Sequence, residues 1–249
     1  MSVARTPLAR AIGAQAWMEL KLLFRAGEAL VITLGIPLGV LGFFSTVPVL
    51  PTGELSAVEF LVPGVLAISV AATGLVAVAI QTAFERKYGV LKRIGGSPLP
   101  RWGFLTAKGF AVAGVLLIQS VAVVALALGW LGWRPAGGML AAPLMVLVGA
   151  VTCTALGLLI AGTLKAEVTL ALANALFLVL LVISGVTFDA AALPEGLAAV
   201  GRALPVGALG EALRVAFAGE GIALGPLLTL AAWGLAAIVA ATRSFRWEP

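Results

Sequence analysis

Few residues in this chain could make or break bonds. It has no histidine and one cysteine, Cys153, set in the apolar run Thr152-Cys153-Thr154. A single thiol forms no internal disulfide, and among apolar neighbours it reads as a small packing residue. Without histidine, and with one cysteine, the usual zinc, haem and iron–sulfur sites lack a ligand set. The long apolar segments hold no carboxylate, so no nucleophile–base pair can be assembled in them. No stretch matches G-x-x-x-x-G-K-[ST], so a P-loop is not expected in this chain. The expectation is therefore no catalytic residue, no metal and no cofactor held by the chain itself. What remains is hydrogen bonding. Ser69, Thr73, Gln119, Asn174 and Ser184 are the mid-segment polar residues that could line a substrate path. The competing use of Gln119 and Asn174 is to join helices to one another.

The elements that must position these groups follow from composition. Of 249 residues, 61% are hydrophobic and 11% charged. A water-soluble domain carries about 25% charged residues, so lipid is the solvent for most of this chain. Six apolar segments are near the roughly 20 residues that a span needs: Ala29 to Val49, Phe60 to Thr82, Leu105 to Leu128, Gly138 to Ala161, Val168 to Val186, and Ile222 to Ala241. They do not alternate polar with apolar, as strands of a barrel would, so the fold class is an all-α integral membrane protein. In the first segment Gly35-x-x-x-Gly39, with Pro37 between, permits close helix packing.

Charge sets the expected orientation. Of the 16 basic residues, only Arg134, Arg202 and Arg214 fall on one side of the six segments. The rest, from Arg5 and Arg10 through Arg86, Lys87, Lys92, Arg93 and Arg101 to Arg243 and Arg246, fall on the other. The positive-inside rule makes that side cytoplasmic and places both termini there. The same topology accounts for the net charge of +5 without a nucleic-acid partner. Lys108 is close enough to a segment end to snorkel to the surface.

Three segments outside the spans are informative. Ala16 to Glu28 reads as a helix on the membrane surface, with Ala16, Trp17, Leu20, Leu23 and Phe24 on one side and Lys21, Arg25 and Glu28 beside them. It is either an anchor or a docking element. Between spans two and three, Phe84, Tyr88 and Leu91 are spaced to share one helical face, and Glu85, Arg86, Lys92 and Arg93 lie off it. Gly95-Gly96, Pro98 and Pro100 then end the helix, ahead of Arg101. A short amphipathic helix across the cytoplasmic face could pass motion from a soluble partner into the membrane. Between spans five and six, two runs too short to span, broken at Pro205, fit a re-entrant or surface hairpin. Leu193, Pro194, Pro205, Leu209 and Leu213 would form an outer gate or a packing cap.

With these segments in place, the chain resembles the permease subunit of an ABC-2 type exporter, and most resembles the drug-resistance (daunorubicin-exporter) branch. The resemblance rests on four features. They are the surface helix Trp17 to Glu28, the stretch Glu85-Arg86-Lys87-Tyr88-Gly89-Val90-Leu91-Lys92-Arg93 with Ser97-Pro98-Leu99-Pro100-Arg101, the six-span layout, and the outer segment from Phe188-Asp189 to Glu211-Ala212-Leu213-Arg214. It implies one transmembrane domain over 1–249, with an interfacial helix at 12–28, a coupling segment at 84–101 and an outer hairpin at 188–221. It also implies that two permeases pair in a bacterial inner membrane, each docked on a separate ATPase subunit that binds ATP and Mg. Phe84, Glu85, Tyr88, Gly89, Leu91, Lys92, Arg93, Pro98 and Arg101 would couple to that ATPase, and Trp17, Leu20, Lys21, Phe24 and Arg25 would make a second contact. The lack of mid-span charge points to an amphipathic or hydrophobic cargo, such as a drug, lipid-like molecule or glycolipid. The readings from other classes are a self-contained carrier or channel and a non-transporting scaffold.

Overall fold

The computed structural model describes residues 7–25, 27–47, 56–97, 99–186 and 194–246. Among the described residues the regular structure is entirely helical. In chain order the helices are α1 (Leu8–Arg25) and α2 (Gly27–Thr46); α3 (Ala57–Lys87); α4 (Val90–Gly95); α5 (Arg101–Gly129); α6 (Ala141–Thr163); α7 (Ala166–Ile183); α8 (Glu195–Ala203) and α9 (Pro205–Phe217); and α10 (Leu224–Ser244). Helices α3, α5, α6, α7 and α10 are long and apolar enough to cross a bilayer, while the apolar part of α2, Val31–Thr46, is shorter.

Contacts at the two ends of the bundle fix the up-and-down path. At the end rich in Lys and Arg, Phe104 opens α5 and packs 6.0 Å from Phe245, which follows α10. There the Arg246 N–H donates to Gly162 O, at the close of α6. At the opposite end, Trp133 after α5 meets Phe217 of α9 edge to face at 4.8 Å. The start of α3 at that end is fixed by a capping box: the Glu59 N–H donates to Ser56 Oγ, and the Ser56 N–H donates to the Glu59 carboxylate at 3.0 Å.

The centre of the bundle is α6, packed on α3, α5, α9 and α10. Small residues let its neighbours approach. A Cβ on Gly157 would lie 2.7 Å from Leu75 O of α3, and one on Gly74 would lie 3.0 Å from the Cys153 Cβ. Cys153 is thus a buried packing thiol facing a glycine, as its apolar setting suggested. At this contact α3 widens into a π-helical segment, Ala71–Ala77.

The hairpin between α7 and α10 takes the two-helix form expected, with Pro205 at the first position of α9, where its missing N–H costs nothing. Its packing is tighter than a loop's. A Cβ on Gly201 would fall 1.8 Å from Ile183 O, and one on Gly207 would fall 2.0 Å from Gly201 O. Backbone therefore rests on backbone where the hairpin meets the end of α7, and only glycine fits.

Candidate functional site

Helices α1, α3 and α5 meet around one buried cation. The Lys108 ammonium of α5 donates to Glu19 Oε2 of α1 at 3.0 Å and to Glu85 Oε1 of α3 at 3.0 Å. Side-chain exposures are 4% for Lys108, 6% for Glu19 and 17% for Glu85. Amide side chains complete the cluster. Gln15 Nε2 donates to Glu19 Oε1, and Gln81 Nε2 donates to Glu85 Oε1, both at 2.9 Å. Each amide lies four residues before its carboxylate on the same helix, so the helix repeat places it.

This cluster corrects two expectations. Lys108 does not snorkel; it turns inward because two carboxylates meet it there. Glu85 is not a surface residue of the cytoplasmic helix, because α3 runs on through Glu85 to Lys87. Nothing between Ala83 and Lys87 interrupts a helix. The interruption comes at Gly89, whose φ of 73° is a left-handed conformation natural to glycine. The single helix expected over this stretch is thus the end of α3 plus the six-residue α4. Phe84 and Tyr88 do lie side by side, their rings 6.0 Å apart, but Leu91 is turned away from them into the core. Phe84 is half-buried, Tyr88 is 70% exposed and Leu91 is fully buried. Arg86 is buried as well, donating to Leu164 O.

Beyond Gly89 the surface of α4 presents Lys92 and Arg93, while Leu91 anchors it in the core. Ser97 Oγ donates to Ile94 O at 2.6 Å and accepts from the Leu99 N–H, closing the turn into α5, whose first residue is the exposed Arg101. Pro98 lies outside the described residues. Helix α1 also differs from expectation in its facing. Glu19 is buried and Leu20 half-buried against α5, whereas Trp17 is exposed with Lys21, Phe24 and Arg25. The packed face is the one that carries Gln15 and Glu19. Sequence reasoning missed Glu19, and its i, i+4 spacing from Gln15 was the available signal.

Midway along the bundle, a cavity of about 290 Å³ lies among α2, α3, α5 and α7. Its wall is apolar, with Ile36, Pro37, Ile68 and Phe177, and its polar side chains are Ser69, Thr73 and Gln119, together with Thr33. Three of the five path residues are thus brought together. The reason is legible in the backbone. Pro37 has no N–H for Thr33 O, four residues earlier, and Gln119 Nε2 supplies the donor at 2.7 Å. Thr73 Oγ1, in the π-helical segment, donates to Gln119 Oε1 at 3.4 Å. The Ser69 hydroxyl lines the same cavity and is buried without a hydrogen-bond partner among the described residues.

Asn174 and Ser184 lie elsewhere. Asn174 is on the exposed face of α7, donating to Leu170 O at 2.8 Å. Ser184 is buried at the end of α7, beside the hairpin. A larger cavity, about 680 Å³, lies between α5 and α6, with Ser120 its one polar side chain among the described residues. Volume alone would favour it, but the smaller cavity holds the convergent polar groups that orient a ligand.

The hairpin residues also separate. Leu209 and Leu213 of α9 are fully buried and Pro205 is buried, while Pro194 is exposed at the start of α8. Leu193 lies outside the described residues. Helix α8 buries only Ala198 and Gly201. Arg214 ties α9 to the end of α7, donating to Gly185 O at 3.3 Å.

A sequence model of the ABC-2 type transporter family matches residues 10–218. The match takes in every group of the ion cluster, the cavity and the hairpin. No curated protein matches the chain. The chain belongs to the ABC-2 type transporter family, and is accordingly a multi-pass membrane protein and the permease subunit of an ABC transporter. Permeases of this family typically partner with an ABC ATPase subunit.

Proposed function

We propose that this ABC-2 family chain is the membrane half of an ATP-driven exporter that moves an uncharged amphipathic or hydrophobic molecule. In this reading six helices span a bacterial inner membrane, with both termini in the cytoplasm. A separate ATP-binding subunit, holding ATP and Mg, docks on the surface formed by Tyr88, Lys92, Arg93 and Arg101. The carrying observation is the course of α3. One helix supplies Ser69 and Thr73 to the cavity wall, Glu85 to the ion cluster, and ends at the Gly89 hinge into α4. A push on α4 is delivered along that helix to the cavity.

The cavity's chemistry supports the cargo class. A mostly apolar wall with a spare Ser69 hydroxyl suits a molecule with one or two hydrogen-bonding groups. Pairing of two chains is supported by Gly35 and Gly39, which have open space where a Cβ would stand and lie on the exposed side of α2. Gating at the outer hairpin falls to the lightly packed α8, with α9 as its fixed neighbour.

The test is capture of the tagged, detergent-solubilised protein from its own membrane. A stoichiometric ATP-binding subunit is expected, and it is lost when residues 88–93 are scrambled or Arg93→Glu is introduced. The second reading, a self-contained carrier, draws on the buried Lys108 cluster, because ionisable groups at membrane depth are a mark of ion-coupled transport. Flux in proteoliposomes that contain no ATPase would establish that reading and end the first.

A further inference from the structure

A second cluster of charge lies at the Lys- and Arg-rich end and takes no part in the cavity. A cavity of about 180 Å³ is lined there by Ala83, Arg86, Lys87, Lys165, Ala166 and Glu167. Three cations face one carboxylate. Lys87 and Glu167 pair with each other. Arg86 is only 4% exposed, and its contact is the backbone oxygen of Leu164; no carboxylate among the described residues pairs with it. Arg246, whose N–H donates to Gly162 O two residues before Leu164, brings a further cation to the same end of the bundle. Lys165 precedes the first turn of the 18-residue α7 and gives it no side-chain cap, so the positive end of that helix faces the same space. A buried guanidinium without a counter-ion is costly, and among the described residues the site is short of negative charge.

We propose that this pocket binds the phosphate of an anionic glycerophospholipid. The phosphodiester is the shared chemistry of a lipid headgroup and a free phosphate, and the depth of the site selects the lipid. The pocket sits where the candidate span α3 ends, at Lys87, and where the candidate span α7 begins, at Ala166. That is the level of the headgroups, where basic pockets between helices capture anionic lipid. Below it, Leu170 and Ala171 share the Glu167 face of α7 at i+3 and i+4 and are exposed, so an apolar track for an acyl chain leads away from the phosphate. The cavity holds several times a water's ~30 Å³ share of liquid, enough for a phosphodiester group.

The experiment uses the full chain in nanodiscs of mixed phosphatidylglycerol and phosphatidylcholine, with retained lipid counted by native mass spectrometry. Phosphatidylglycerol is expected to stay bound in preference to phosphatidylcholine. Lys165→Gln and Arg86→Gln should each weaken its retention about fivefold, the loss of one charge near the membrane surface. Lys165→Arg, at an exposed position, should retain it and serves as the folding control. Unchanged retention in the Lys165→Gln, Arg86→Gln double variant would overturn the proposal. So would displacement of the lipid by millimolar inorganic phosphate, which would make this a free-anion site. Loss of a captured ATP-binding subunit in Lys165→Gln with lipid retention unchanged would reassign the patch to protein docking. Lipid retention is read without transport and without an ATP-binding subunit, so its failure is distinguishable from failure of the exporter reading.

Discussion

Replacing Lys108 by Met should loosen the whole Lys- and Arg-rich end of the bundle. Lys108 Nζ is 3.0 Å from Glu19 and 3.0 Å from Glu85, and all three side chains are less than one-fifth exposed. Met keeps the length and apolar stem of Lys but removes the charge. Two carboxylates are then left facing each other without their common cation. Removing one partner of a buried ion pair costs about 3–5 kcal/mol. Glu85, the more exposed of the two and still bonded to Gln81, relaxes more readily, which places the expected loss toward the lower figure. For a chain of this size that corresponds to a fall in apparent melting temperature on the order of 10 °C. The assay is heating of the detergent-solubilised protein with the monodisperse fraction as readout, an operational stability because unfolding is not expected to reverse. The informative comparison is Glu19→Gln in the Lys108→Met background. With the cation gone, neutralising one carboxylate should recover a large part of the loss, so the two changes are strongly non-additive. A Lys108→Met protein that melts within about 2 °C of the parent, or a double variant weaker than Lys108→Met alone, would refute the cluster as the tie between α1, α3 and α5.

Two further predictions concern the hairpin and the cavity. Gly207→Ala places a Cβ 2.0 Å from Gly201 O, a backbone atom that cannot swing away, and should cost about 1–3 kcal/mol; Gly196→Ala, in open space, should leave the melting temperature unchanged in the same measurement. In the cavity, Gln119→Leu leaves Thr33 O without a donor and should destabilise by about 1–3 kcal/mol, whereas Ser69→Ala removes a hydroxyl that has no partner among the described residues and should leave stability intact. A shift in transport KM for Ser69→Ala with unchanged melting would mark Ser69 as a ligand contact; an unchanged KM would make it a packing residue.

The helices were legible because their cause is local. Long apolar runs with glycine and proline at their ends become long helices, and Pro205 divides the outer hairpin where a missing N–H requires it. Cys153 was legible too, since an apolar setting leaves a thiol little to do but pack. The ion cluster was not. Glu19 lies 89 residues from Lys108 and Glu85 lies 23 away, and no sequence period joins such positions. Charge spacing on a single helix placed Glu85 on a surface, whereas its partner on another helix draws it inward. The break at Gly89 was half visible. The glycine could be read, but the burial of Arg86 against Leu164 O just before it is a tertiary contact that no local pattern announces. Gln119 shows the intermediate case. A proline in a membrane helix requires a donor from somewhere, and the sequence states the need at Pro37 without saying which helix answers it.

The widened turn at Ala71–Ala77 sets the phase of α3. Each residue of an α-helix turns the chain by about 100°, so a turn that holds one residue more than usual offsets everything after it. Ser69 lies before that offset and Glu85 after it, and the two point where they do, one at the cavity and the other at Lys108, only because the slip lies between them. Moving that one turn by a few residues, with the sequence otherwise kept, would leave the helix whole and yet aim one of its two ends at the wrong neighbour.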